Sequence, residues 1–294
     1  ASKNLQSAQS KMAQSVERLS SGLRVNRAKD DAAGLGIANA LTSQINSANQ
    51  GIRNLNDGIS MVQTAEGAIA AAQEMAQRIL TLATQGANGT MGATEKTAIR
   101  QEMRQLMSTI QAIGGRTKFS SNSLLSGAGT AVTLQVSNNT TDTITLAATA
   151  FTTIGVTVAD VATILANAAQ TAAGGGTYTG GRAADTLMAS INSDTDANIA
   201  NVVFTTIMTN AASYITSLST QRSLLGAYQN QIEFTVSNTT ELASNLSAAR
   251  SNVQDTDYAS ETAALTKGQI LQQAATAMLA QANQMPNVIL SLLK

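Results

Sequence analysis

Between residues 37 and 85 apolar side chains recur in alternating steps of three and four, or seven, at Ile45, Ala48, Ile52, Leu55, Ile59, Val62, Ile69, Ala76 and Ile79. No proline interrupts them. A strand would need period two, whereas this period keeps one face of a helix turned toward a partner helix. The seam therefore commits the chain to a long α-helix. A helix apolar on one face only is marginal in water, so its partners must be supplied by packing.

Other parts of the chain repeat the pattern. Leu5, Met12 and Leu19 are spaced by seven, with Ala8 and Val16 between them and Leu23 following. Ile99, Met103, Leu106, Ile110 and Ile113 form a third seam, divided from the second by the Asn88-Gly89 turn signal. Toward the end, Ile207, Ala211, Tyr214, Leu218, Leu225, Tyr228 and Ile232 continue into Leu242, Leu246, Ala249 and Val253. A last seam runs through Leu271, Ala275, Met278, Ala282, Met285, Ile289 and Leu292. The single proline, Pro286, lies in it and is expected to end or kink that helix near residue 285.

The middle reads differently. Val132 to Val136 alternates, Asn138-Asn139 intervenes, and Ile144-Thr145-Leu146 alternates again, which predicts a β-hairpin. Glycine runs at 174–176 and 180–181 mark loops. The expected fold is mainly α: a long coiled-coil-like helical bundle built from both chain ends, with an inserted small mixed α/β outer domain.

Composition narrows the function. The 294 residues contain no Cys and no His, which removes thiolate nucleophiles, imidazole bases and the usual zinc ligands together. No paired carboxylates stand at a defined spacing, so neither an enzyme nor a cofactor is expected. Zero formal net charge argues against nucleic acid as a partner and leaves no repulsion between copies. Aromatics are 3% of residues, which suits thin helices packed side by side better than a globule anchored on large rings. No apolar run approaches the roughly 20 residues of a membrane span.

One stretch breaks the helical pattern. Arg24, Arg27, Lys29, Asp30 and Asp31 crowd into eight residues, followed by Gly34 and Gly36. Arg27 can pair with Asp30 or Asp31 if the segment is helical. Near the other end, Asp255, Asp257 and Glu261 form an acidic counterpart. The expectation is that the two connectors face one another by charge, within one chain or between chains, against the plainer reading of a solvated charged surface.

Several blocks together resemble bacterial flagellins. Glu17-Arg18-Leu19-Ser20-Ser21-Gly22-Leu23-Arg24-Val25-Asn26, then Ala28-Lys29-Asp30-Asp31-Ala32-Ala33-Gly34, look like the family's N-terminal signature. Asn56-Asp57-Gly58-Ile59-Ser60 and Thr64-Ala65-Glu66-Gly67-Ala68 are similar to later blocks. Ile270-Leu271-Gln272-Gln273-Ala274, Leu279-Ala280-Gln281-Ala282-Asn283-Gln284 and the final Leu292-Leu293-Lys294 resemble the family's C-terminus. The likeness covers roughly 1 to 126 and 200 to 294 and leaves the middle unmatched.

The resemblance implies a secreted structural subunit of the flagellar filament that polymerises with itself for motility, and a chain cut back at its N-terminus. It implies an inner coiled coil from 1–30 plus 256–294, with Leu5, Met12, Leu19, Leu271, Met278, Met285 and Leu292 as assembly positions. A helical bundle would span 31–126 plus 198–255, and a variable outer domain 127–197. Arg24, Arg27, Asp30, Asp31, Asp255 and Asp257 would join the first two layers. The partners implied are the flagellar export apparatus and an export chaperone, hook-associated and cap proteins, and a host flagellin-sensing Toll-like receptor. Arg78, Leu82, Gln85 and Glu102 match positions that such receptors read, although Leu80 and Thr81 stand where charged residues are common; the plainer reading of the four is subunit packing.

Two alternatives come with it. A hook-associated junction protein would share the terminal helices. A cell-surface protein would use the outer domain to hold a glycan or anionic polysaccharide, with Tyr178 and Arg182 as contacts for an acidic sugar. Asp194-Thr195-Asp196-Ala197-Asn198 begins like a calcium loop, but Ile199 and Thr205 stand where that loop needs Gly and Glu, so a solvated turn or helix cap is expected.

Overall fold

The computed structural model of the protein describes residues 2–125, 131–151, 154, 183–192 and 201–292. Its helices are α1 (Ser2–Ser21), α2 (Ala32–Gly86), α3 (Ala93–Arg116), α4 (Ala183–Asn192), α5 (Asn201–Gln254) and α6 (Tyr258–Leu292). Four short strands are β1 (Lys118–Phe119), β2 (Asn122–Ser123), β3 (Val132–Gln135) and β4 (Thr143–Leu146). β3 and β4 pair antiparallel with Leu134 opposite Ile144, which is the expected hairpin. The chain divides into two compact units, one of residues 50–239 and one of 1–49 with 240–294.

The 50–239 unit has a continuous core. The α2 seam supplies Leu55, Val62, Ile69, Ala76 and Ile79, and α3 supplies Met103, Met107 and Ile110. From α5 come Phe204, Ile207, Tyr214, Leu218, Leu225 and Ile232. Leu134, Ile144, Leu146, Phe151, Ile154, Leu187 and Ile191 join the same cluster, so the described part of the expected outer domain shares the core of the helices. The Tyr214 hydroxyl donates to the Ile154 carbonyl, and burial pushes its pKa up.

The hairpin docks on α2 through missing side chains. A Cβ at Gly51 would overlap the Val136 carbonyl oxygen, and one at Gly58 would overlap the Leu134 side chain. Between them Asn54 donates its amide to the Gln135 carbonyl at 3.0 Å. The helix thus presents a flat strip two turns long, with one polar group to fix the register.

In the other unit α1 packs along α6. A Cβ at Gly268 would be 3.6 Å from Cβ of Met12, so the helices approach closely there. α1 stops where Gly22 takes a left-handed φ of 72° and its N–H closes on the Arg18 carbonyl at 2.8 Å. The α6 helix runs through Pro286 to Leu292 rather than ending near 285. A proline removes one ladder hydrogen bond and strains the turn before it, and here the helix continues beyond it.

Substitution at two glycines should separate packing from propensity. Gly51→Ala should lower stability by about 1–3 kcal/mol, because the Val136 backbone cannot give way. Gly67→Ala, where a Cβ meets nothing within 4 Å, should raise it by up to about 1 kcal/mol. Urea unfolding followed by far-UV circular dichroism reads both shifts.

Candidate functional site

The two connectors do face one another, within one chain, and the main chain carries the contact. Leu23 and Asp255 form an antiparallel bridge. Arg24 and Val25 donate their N–H groups to the Gln254 carbonyl at 2.7 and 3.3 Å, and Thr256 N–H donates to the Gly22 carbonyl at 2.9 Å. The Arg24 guanidinium donates to the Val253 carbonyl at 2.6 Å, not to Asp255 or Asp257. A basic side chain is well used there, because the last carbonyls of α5 lack helical partners and carry partial negative charge.

The carboxylates serve their own helices. Asp257 accepts from Ala259 N–H at 2.9 Å and Ser260 N–H at 3.3 Å, which caps α6. Asp31 accepts from Gly34 N–H at 2.8 Å and caps α2. Asp30 accepts from the Arg27 backbone N–H at 3.0 Å. The Arg27 side chain pairs instead with Glu17 at 2.7 Å. Arg27 lies in a turn and not in a helix, so the spacing rule that would join its side chain to Asp30 or Asp31 does not apply. Among the described residues, the ion pair that links the two terminal helices is Arg18 with Glu261, at 3.5 Å.

The terminal helices bury one stripe and leave another open. On α6, Glu261, Leu265, Gly268, Gln272 and Ala275 are buried or half-buried in steps of four and three. Leu271 and Met278 lie off this stripe and are 51% and 69% exposed, with Ile270 at 60%. On α1, Ala8 and Ser15 are buried, Met12 and Leu19 are half-buried, and Val16 is 51% exposed. Leu271 and Met278 are therefore not in the intrachain seam. The side chains of Leu5, Met285 and Leu292 lie outside the described residues, as do Tyr178, Arg182 and Asp194 to Asn198.

In the 50–239 unit, Arg78 Nη2 and Glu102 Oε1 form an ion pair at 2.8 Å that joins α2 to α3. Arg78, Gln85 and Glu102 are exposed, whereas Leu82 is buried in the core between them. The surface at this place is polar, and the leucine underlies it. Arg222 bridges α5 to Gln73 at 3.0 Å and Glu66 at 3.4 Å on α2.

Sequence reasoning missed Arg100. It is fully buried, and its Nε and Nη2 donate to the Ile191 carbonyl at 3.3 and 2.8 Å, tying the end of α4 to α3. A signal was present: Lys96, Arg100, Met103, Met107 and Ile110 extend the α3 seam backward in steps of four and three. Among the described residues no group of His, Cys, Asp or Glu is arranged to hold a metal ion, and no helix is long and apolar enough to cross a membrane.

Leu82→Ala should cost about 2–5 kcal/mol of stability, as a buried leucine does. Arg78→Ala should cost about 0–1 kcal/mol, as an exposed ion pair does. Equal shifts of the urea midpoint would place Leu82 on the surface.

Comparison with known proteins places these features in a family. Residues 1–130 match the bacterial flagellin N-terminal helical region, and 208–293 match the bacterial flagellin C-terminal helical region. Flagellin of Bacillus subtilis is 37% identical over 281 residues, covering 95% of this chain and 91% of that protein. Polar flagellin F of Vibrio parahaemolyticus is 34% identical over 367 aligned positions, covering 100% of this chain and 96% of that protein. A solved structure from Vibrio parahaemolyticus, provisionally assigned as a flagellar hook-associated protein, superposes with a TM-score of 0.54 over 77% of this chain and 100% of its own. Its identity is 13%, so it bears on the fold alone.

Proposed function

Since the chain belongs to the bacterial flagellin family, we propose that its exposed terminal stripe is the surface through which it polymerises. The protein is a structural subunit of the flagellar filament, and its place is the extracellular filament. The observation that carries the proposal is the open face of the α1–α6 pair. Val16, Ile270, Leu271 and Met278 stand half exposed or more on helices that already have an intrachain partner. A large apolar patch left in water is unfavourable and marks an interaction surface. Copies of the same pair can bury it.

The layering follows from this reading. Residues 1–30 with 256–294 form the inner coiled coil, 31–126 with 198–255 the bundle around it, and 127–197 the outer part. The main-chain bridge between 22–25 and 253–256 serves as the joint between the first two. The subunit passes the flagellar export apparatus unfolded, with an export chaperone covering its apolar terminal stripe, and is added under a cap protein beyond the hook-associated proteins. The polar edge of Arg78, Gln85 and Glu102 is the part of the 50–239 unit that a flagellin-sensing Toll-like receptor reads on free subunits. The subunit's role is mechanical, and no reacting group is required. No specific observation favours the glycan-binding or junction-protein alternatives.

Sheared filaments used as seeds test the assembly reading. The protein should elongate seeds and pellet with them. Leu271→Glu with Met278→Glu should abolish pelleting while leaving the helical circular dichroism within about a tenth of the parent, because exposed positions tolerate charge in the free subunit. Undiminished elongation by the double variant would sink the terminal stripe as the polymerising surface.

A further inference from the structure

The Asn88-Gly89 pair that divides the α2 and α3 seams is the single Asn-Gly of the chain. It lies in the turn between the two helices, where Asn88, Gly89 and Thr90 are all exposed. The turn closes through the Met91 N–H, which donates to the Asn88 carbonyl at 3.4 Å. Oδ1 of the Asn88 side chain accepts from the Thr90 N–H at 3.2 Å. That bond folds the side chain back over the Gly89 amide, as in an Asx-turn. Among the described residues nothing accepts from the Gly89 N–H.

These are the parts of an acyl transfer within the chain. The Gly89 nitrogen becomes a nucleophile once its proton is removed, and Cγ of Asn88 is the carbonyl carbon it reaches by closing a small ring. The Thr90 N–H polarises that carbonyl and stands where negative charge grows on Oδ1. Glycine has no Cβ to shield its nitrogen. The turn itself does not require glycine at 89, because among the described glycines only Gly22 has a left-handed φ.

The same turn is built a second time with a different residue at the decisive place. In the loop between β3 and β4, Thr141 N–H donates to Asn139 Oδ1 at 3.1 Å, and Asp142 N–H donates to the Asn139 carbonyl at 3.0 Å. Asn139 is also exposed, but the residue after it is the β-branched Thr140. The related Asp57-Gly58 pair is locked inside α2, where Gly58 is buried against Leu134 and its N–H belongs to the helical ladder.

We propose that Asn88 is a site of spontaneous deamidation, with water as the co-reactant. The Gly89 nitrogen bonds to Cγ of Asn88, and the Cγ–Nδ2 bond breaks. Nδ2 leaves as ammonia, taking up the proton that the Gly89 nitrogen gives up. Water then opens the cyclic imide. Cleavage of the new bond to Cγ yields aspartate, and cleavage of the bond from the Gly89 nitrogen to the Asn88 backbone carbonyl carbon yields isoaspartate. Nothing is oxidised or reduced. Each event adds one carboxylate to a chain of zero formal net charge. The new charge stands beside Gln85, whose carbonyl accepts the Asn88 N–H at 3.1 Å. It extends the edge on which Arg78 and Glu102 cancel in charge, so this edge turns acidic as a subunit ages. The inference concerns the 50–239 unit alone and does not depend on the polymerising stripe.

Incubation of the protein at mildly alkaline pH, followed by trypsin digestion and mass spectrometry, tests it. Peptide 79–96 carries Asn88 as its one asparagine. It should convert to aspartate and isoaspartate forms, faster as pH rises because the attacking amide must lose its proton, while Asn139 stays intact over the same time. Two substitutions exchange the residue in which the turns differ. Gly89→Thr copies the Asn-Thr-Thr of 139–141 into the first turn. It should slow conversion at Asn88 by about tenfold or more, the factor that corresponds to about 1.4 kcal/mol of barrier. Thr140→Gly should bring Asn139 up to a rate comparable with that of Asn88. Helical circular dichroism should be unchanged in both variants, because both positions are exposed turn residues. Equal rates at Asn88 and Asn139 in the unsubstituted protein, or no slowing by Gly89→Thr, would overturn the assignment. An Asn88 that stays intact in the folded protein for as long as free peptide 79–96 takes to convert would overturn it too.

Discussion

Burial of the α2 seam inside its own chain is the packing on which the 50–239 unit depends. Leu55, Val62, Ile69, Ala76 and Ile79 are fully buried, and they meet residues from α3, α4, α5 and the hairpin in one cluster. Because that seam is satisfied, the helix can carry polar groups and open glycine on its outer side. The Glu66–Arg222, Gln73–Arg222 and Arg78–Glu102 contacts then fix neighbouring helices in register along it. Exposed pairs of this kind contribute little to stability. Their value lies in choosing one sliding position among several that an Ala-rich surface would otherwise permit.

The terminal unit follows a different logic. Its two helices share a narrow stripe in which small or polar residues, Ala8, Ser15, Gly268 and Ala275, alternate with the half-buried Met12, Leu19 and Leu265. Small residues bring backbones close but bury little area each, so the pair gains modest hydrophobic stabilisation. Three further large side chains, Ile270, Leu271 and Met278, lie off it and are exposed. The connection between 22–25 and 253–256 is made of backbone hydrogen bonds and helix caps, with Val25 buried among them. The α1–α6 pair thus leaves Ile270, Leu271 and Met278 without an intrachain partner among the described residues.

Much of the architecture is legible in the sequence because the period of the apolar residues is unambiguous over long spans. The seam from 37 to 85 predicts α2 to within a few residues of its ends at Ala32 and Gly86, and alternation predicts β3 and β4. Family resemblance at both ends points to the function. Four kinds of detail are not legible. Periodicity marks a stripe but not its partner, so Leu271 and Met278 group with Ala275 although they lie off the intrachain stripe. Charge count does not reveal where a chain turns, so Arg27 matches Asp30 and Asp31 only on a helix that is not there. Cations on an apolar stripe read as surface, which hides Lys96 and Arg100. An exposed Leu82 follows from its neighbours, yet a step of four from Arg78 rotates it about 40° round the helix and into the core.

Amide hydrogen exchange in the free subunit and in the filament tests the division between a self-sufficient body and ends that await partners. In the free subunit the amides of α2 from 55 to 83 should be strongly protected, and those of α1 and of α6 beyond Leu265 should exchange close to unfolded rates, as marginal helices do. In the filament both sets should be protected. Full protection of α1 and α6 in the free subunit would contradict this division, because the terminal helices would then be stable without the neighbouring copies.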